Sequence, residues 1–128
     1  MLAALLTLIA AQFDPGAPLT GQFDGTCLYP ETLRERAEGD NLVTCNRVTV
    51  DDKGIVFASR SWGVRMRFSG TFEGDRMTVT SIAGRNGEQV EARGTCQIYY
   101  ANEEVSTIAC TAIAHGRAHL ANFVVSRL

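Results

Sequence analysis

Val64-Arg65-Met66-Arg67-Phe68-Ser69-Gly70-Thr71-Phe72 places apolar residues or glycine at even positions and polar residues at odd ones. An extended strand, whose successive side chains point to opposite faces, turns that alternation into one buried and one wet face. The chain then meets Glu73-Gly74-Asp75-Arg76, in which Gly74-Asp75 is a two-residue hairpin loop with glycine first, the type II′ preference. This loop pairs Phe72 with Met77, Gly70 with Val79 and Phe68 with Ser81 on the inner face. Outside, it sets Thr71 beside Thr78, a favourable polar cross-strand pair.

Working outward, each neighbouring turn extends the same parity. Asn86-Gly87 is a strong short hairpin signal. It predicts Ala83 opposite Val90, Ser81 opposite Ala92 and Val79 opposite Gly94, so the inner face continues through Cys96, Ile98 and Tyr100 while Ile82 lies outside against Glu91. Backwards, a turn at Arg60 to Gly63 pairs Ser59 with Val64, Phe57 with Met66 and Ile55 with Phe68. Asp51-Asp52-Lys53-Gly54 pairs Val50 with Ile55 and Val48 with Phe57. Forwards, an odd-length loop around Asn102-Glu103-Glu104 sets Cys96 opposite Cys110 and Ile98 opposite Ile108. His115-Gly116 then sets Ala112 against His119, Cys110 against Ala121 and Ile108 against Phe123. A slip of one residue in any hairpin reverses its faces, so the agreement supports all the registers together.

Eight strands result, over 19–29, 41–50, 55–59, 64–72, 76–84, 88–100, 105–113 and 117–127. The fold class is all-β, an eight-stranded antiparallel up-and-down meander. Closing strand one on strand eight removes a long exposed edge and makes a small barrel. Between strands one and two, Pro30 to Gly39 carries proline first, acids in the first turn and glycine at the end, the marks of one short helix over 30–38. Leu33 and Ala37 give it a narrow apolar stripe, expected to lid one end of the barrel.

The four cysteines favour two disulfides, Cys27–Cys45 across the helix and Cys96–Cys110 between neighbouring strands. Each closes a loop worth roughly 3 kcal/mol in the chain-entropy model. Cys45 has the parity opposite to Val48 and Val50, so strand two needs a bulge near Asn46 to bring it inside. Tight Cys-x-x-Cys pairs are missing, which argues against zinc. At the other extreme of the chain, residues 1–11 form an uncharged, nearly all-apolar run that is too short to span a bilayer. The run fits the apolar region of a secretory signal peptide cleaved after Ile9-Ala10-Ala11, although no Lys or Arg precedes it. Its alternative is a buried N-terminal element. The organisation expected is a removed signal peptide at 1–11, an extended leader at 12–18 and one barrel domain at 19–128, in a periplasmic or secreted protein.

The net charge of −2 offers nothing to nucleic acid, and no membrane span is expected. Eleven of the twelve basic residues are arginine, which suits forked contacts to carboxylate or phosphate, although a GC-rich genome gives the same bias.

Three places are candidates for binding. Arg60, Trp62, Arg65 and Arg67 group the only tryptophan with three arginines, residue types that anchor protein interfaces; otherwise Trp62 folds over the barrel mouth. Inside, Gly70, Val79, Gly94, Ala112 and His119 form a level of small residues beside Ser81 and Ala92. That level either leaves a pocket lined by His119 and Arg117 or lets the strands pack more tightly. The outer face of the last hairpin (Val105, Ala109, Ile113, Ala118, Leu120 and Val124) is apolar, so it either meets a partner or lies under the helix or the leader. Enzyme chemistry finds little support, because no nucleophile motif sits beside His115 or His119 and the cysteines are expected to be consumed in bridges. No metal or cofactor is expected.

With its Gly21-Gln22-Phe23 opening, the strand plan over 19–128 resembles the calycin-like architecture, whose small barrels also serve bacterial periplasmic inhibitors of proteases or lysozymes. The resemblance lies in the plan and carries over no functional residue. The function expected is an exported small interaction module, inhibitor-like, acting by surface recognition of a protein partner. The alternative is a carrier holding a small ligand around His119, with an enzyme third.

Overall fold

The computed structural model describes residues 20–35 and 41–126. The expected signal peptide at 1–11, the leader at 12–18 and the last residues of the expected helix lie outside that range.

The described chain is a closed eight-stranded antiparallel up-and-down barrel with one short helix between its first two strand segments. In chain order these are β1 (Gly21–Cys27), α1 (Glu31–Glu35), β2 (Asn41–Leu42), β3 (Arg47–Asp51), β4 (Gly54–Ser59), β5 (Gly63–Glu73), β6 (Arg76–Ala83), β7 (Gln89–Ala101), β8 (Glu104–Ala114) and β9 (Arg117–Val125). Closure runs through β1, whose first half pairs with β3 (Phe23 opposite Val48) and whose second half pairs with β9 (Cys27 opposite Phe123). Gly25 sits at that change of partner, where a side chain would collide with the Val124 carbonyl. Beyond Cys27 the place beside β9 is taken by β2, which runs parallel to it and sets Leu42 opposite Leu120. The expected single strand over 41–50 is therefore two pieces, β2 and β3, with Val43–Asn46 between them. This break brings Cys45 inside, 9% exposed, where an unbroken strand would have turned it out.

Both expected disulfides form, Cys27–Cys45 and Cys96–Cys110, and no described cysteine is free. The core joins Phe57, Phe68 and Phe123 to Ile55, Met77, Ile98, Ile108 and the Cys96–Cys110 bridge, all buried. Phe57 and Phe68 meet edge to face with ring centroids 5.5 Å apart.

The predicted pairs Phe57–Met66, Gly70–Val79, Val79–Gly94, Cys96–Cys110 and Ala112–His119 are all present. Where pairings differ, a register shift is responsible. A shift after Phe57 puts Ser59 opposite Gly63 and not Val64. Shifts beside Thr80 put Phe68 and Val90 opposite Ile82, and Ser81 opposite Glu91. Ile82 is consequently buried, not outward, while Ser81 stays inside with its hydroxyl accepting a hydrogen bond from the Gln89 amide. The 83–89 connection is not a two-residue Asn86-Gly87 turn. Gly87 N–H donates to the Gly84 carbonyl, so Arg85 and Asn86 are the central residues and Gly87 follows at φ 75°. In the β7–β8 hairpin, Asn102 and Glu103 both take positive φ in a two-residue turn. A shift beyond Tyr99 then turns Tyr100 outward, 48% exposed, and packs Val105 against the core, both opposite to expectation.

In an up-and-down barrel, alternate connections gather at the same end. One end carries the turns at 60–62, 84–88 and 115–116 together with the crossing from β1 to β3. The other carries the tight turns at 52–53, 74–75 and 102–103. The first is the Trp62 end of the barrel and the second the Asp51 end. α1 does not lid the barrel. Pro30 and Leu33 instead line a cleft of about 310 Å³ with Ala109, Thr111, Leu120 and Asn122, so the helix partly covers the outer face of the last hairpin.

Candidate functional site

The Trp62 turn is fastened at several points. The Ser59 hydroxyl accepts hydrogen bonds from the Ser61 and Trp62 amides at 3.2 Å each, and the Asn46 side chain accepts one from the Arg60 amide at 2.8 Å. Gly63 closes the loop at φ 80°, a left-handed conformation that glycine adopts without strain. On this held turn Trp62 does not fold over the barrel mouth; it is 68% exposed.

The three arginines read beside it separate. Arg60 is exposed in the same turn. Arg65 is half-buried, with Nη2 donating to the Thr44 hydroxyl at 3.2 Å and Nε buried without a hydrogen-bond partner. Arg67 lies further along β5, where it pairs with Asp51 at 3.3 Å and donates to Ser69, so it belongs to the other end. Burial works against the ionised form of Asp51, yet the Lys53 and Gly54 amides and Arg67 outweigh it and hold its carboxyl below the usual value.

Beside Arg65 a cleft of about 580 Å³ opens, lined among others by Leu42, Thr44, Met66, Arg85 and Asn86. Arg85 and Asn86 were not singled out from the sequence. The signal for them was present, since connections two apart in a meander share an end, which groups the 60–62 turn with the 84–88 turn. The Trp62 end, with the crossing and its helix, gathers Arg34, Arg47, Arg60, Arg65, Arg85, Arg93 and Arg117 against Asp24, Glu31, Glu35, Glu88 and Glu91 among the described residues. The Asp51 end gathers Asp51, Asp52, Glu73, Asp75, Glu103 and Glu104 against Lys53, Arg67 and Arg76. Charges that alternate along the sequence are thus sorted in space.

The crossing from β1 to β3 is fixed by Tyr29. Its hydroxyl lies 2.6 Å from the Val43 carbonyl and 3.0 Å from the Leu120 carbonyl, and accepts from the Asn122 amide at 3.3 Å. Burial raises the phenol's pKa, with the hydrogen bonds to Asn122 and Val43 acting the other way.

His119 is half-buried opposite Ala112, with Asn41 running beside it in β2. The small residues at its level bring strands together. A Cβ on Gly70 would strike the Thr78 carbonyl, and one on Gly94 the Thr111 carbonyl, so both positions are filled by a neighbouring backbone. On the last hairpin, Ile113 is 57% exposed and Val124 is also exposed, while Ala109, Ala118 and Leu120 are half-buried.

Among the described residues no group of three or more His, Cys, Asp or Glu is placed to hold a metal ion. No described helix is long and apolar enough to cross a membrane. No protein-family model matches the chain, and no curated protein or solved structure gives a significant match.

Proposed function

We propose that this protein is a small exported binding module, inhibitor-like in action, that recognises a partner protein through the Trp62 end of its barrel. The observation that carries the reading is the exposure of Trp62 on a turn held by three hydrogen bonds. An indole already fixed in position loses little entropy on binding and buries a large area, which is how a few aromatic anchors come to dominate an interface. The arginine excess at the same end favours an acidic partner surface and speeds encounter with it. Two disulfides suit an oxidising compartment, the periplasm or the extracellular space. A carrier function around His119 has less support, because the glycines at that level approach backbone and do not face open space.

The test is affinity capture from an exported-protein fraction with the folded, oxidised protein, comparing wild type with Trp62→Ala, followed by titration of the purified partner. A loss of about 30-fold in affinity is expected for an anchor of this kind. Equal recovery of every captured protein by the two forms would remove Trp62 from the site. The export component is checked by intact mass of the exported chain, expected to begin near Gln12 and to weigh four hydrogens less than its reduced form.

A further inference from the structure

The cleft at the Trp62 end has a chemistry of its own. Among the described residues two arginines line it and no acid does. The ion pairs Asp24–Arg47 and Asp51–Arg67 engage other arginines, and neither Arg65 nor Arg85 makes an ion pair with a described residue. Arg65 is the more constrained, half-buried with a neutral hydroxyl as its hydrogen-bond acceptor and with a buried Nε that has none. A buried guanidinium N–H without an acceptor is costly, and a second guanidinium lining the same cleft adds repulsion. Any anion seated there relieves both costs. The other polar groups favour the same sign of ligand. The Asn86 carbonyl oxygen is occupied by the Glu88 amide at 3.0 Å, which leaves the Asn86 NH2 as the group that side chain can offer.

Phosphate and carboxylate both fit an arginine fork, and the remaining lining favours an anion with a hydrocarbon body over a bare inorganic one. Leu42, Val43 and Met66 supply an apolar wall that a bare inorganic anion cannot use but a hydrocarbon body can. The volume, about 580 Å³, lies within the ordinary range for small-molecule pockets. We propose that this cleft is a carboxylate-binding pocket, with Arg65 and Arg85 holding the anion and Leu42, Val43 and Met66 covering its aliphatic part. The proposal deepens the reading of the Trp62 end as a recognition surface and does not require Trp62 itself. The carboxylate can come from a free organic acid or from an acidic side chain of the partner.

Titration of the oxidised, isotopically labelled protein with glutarate, followed through backbone amide resonances, decides the matter. Saturable shifts confined to residues 42–44, 64–66 and 84–88 are expected, together with at least a tenfold loss of affinity in Arg85→Gln. Arg76→Gln, at the opposite end, should bind as wild type does. A blocked peptide, acetyl-Gly-Glu-Gly-amide, separates the two sources: shifts of the same residues assign the pocket to a partner's side chain, and binding of glutarate alone assigns it to a free acid. Three results overturn the proposal: no saturable shift, equal binding of the neutral diamide glutaramide, or equal binding of sulfate. Should Arg65→Gln fail to fold, exposed Arg85 still carries the test. Trp62→Ala should retain glutarate binding, so a failed partner interface and a failed carboxylate pocket give different results.

Discussion

The two ends of this barrel close by different means. At the Asp51 end each connection is a tight two-residue turn whose geometry is local: the Asp51 side chain accepts from the Lys53 and Gly54 amides, Gly74 takes positive φ, and Asn102 and Glu103 take the left-handed conformation. At the Trp62 end the chain makes its long crossing from β1 to β3, and contacts distant in sequence hold it: Cys27 to Cys45, Tyr29 to Val43 and Leu120, and Asn46 to Arg60. The Asp51 end neutralises part of its charge with the Arg67 pair, while at the Trp62 end Arg65 and Arg85 make no ion pair with a described residue. One end closes with local turns, and the other leaves Trp62, Arg60 and Arg85 exposed.

The largest effect should come from the wall that both ends share. The two bridges span similar separations, 14 and 18 residues, so chain entropy alone gives each roughly 3 kcal/mol. Their surroundings differ. Cys96 and Cys110 lie fully buried in mid-wall, whereas Cys27 is half-buried at the start of the crossing. Alanine at both 96 and 110 therefore adds a core cavity to the lost cross-link and should cost about 4 kcal/mol, read from the midpoint of guanidinium unfolding. Alanine at both 27 and 45 should cost less and raise amide exchange mainly in 28–35 and 41–46. Uniform acceleration across all strands in that second variant would show that the crossing is not a separate part.

Next comes the close approach of strands. Gly94→Ala places a Cβ against the Thr111 carbonyl and the Ala112 backbone, which cannot yield as a flexible side chain would. A loss above about 2 kcal/mol in unfolding free energy is expected. Gly84, in the Trp62-end turn, has open space around the same hypothetical atom, and Gly84→Ala should stay within about 0.5 kcal/mol of wild type. Equal costs at the two sites would break the distinction between wall and rim.

These glycines also show how far the sequence could be read. Alternation plus turn chemistry sufficed for the barrel, the helix position, both bridges and the pairs around Phe57, Val79, Cys96 and Ala112. It failed after Phe57, beside Thr80 and beyond Tyr99, because a register shift changes parity without a marker residue of its own. Ile82, Tyr100 and Val105 consequently exchanged faces. The prominence of Trp62 was legible as the only tryptophan in a turn. Arg85 and Asn86, on another turn of the same end, were missed because grouping them depends on which turns share an end and not on local pattern.

A smaller effect should follow Tyr29→Phe, which strips the hydroxyl from Val43, Leu120 and Asn122 at the crossing. Three partly buried backbone groups lose a partner, at about 1–2 kcal/mol, with the raised exchange centred on 41–46. The phenol's pKa is raised in the folded state, so its contribution is complete below about pH 10, the unfolded value, and falls as pH climbs above it. A variant whose loss of stability is the same at pH 8 and pH 11 would contradict that linkage.

The smallest effect belongs to Asp51 and tests whether the Asp51 end owes anything to charge. Its folded pKa is depressed, so the folded state favours the ionised form more strongly than the unfolded chain does. The resulting stability is present above about pH 4 and disappears as pH falls through the lower folded value. The carboxylate is 43% exposed and Arg67 is 35% exposed, so water screens the pair and its worth is at most about 0.5 kcal/mol. Asp51→Asn keeps an oxygen for the Lys53 and Gly54 amides and removes only the charge. It should melt slightly below wild type at pH 7 and level with it near pH 2, a gap that differential scanning calorimetry can follow. A gap unchanged by acid would mean that the turn is held by its amide hydrogen bonds alone. Arg85→Gln, which removes a side chain that makes no ion pair with a described residue, should show no corresponding closure of its melting difference on acidification.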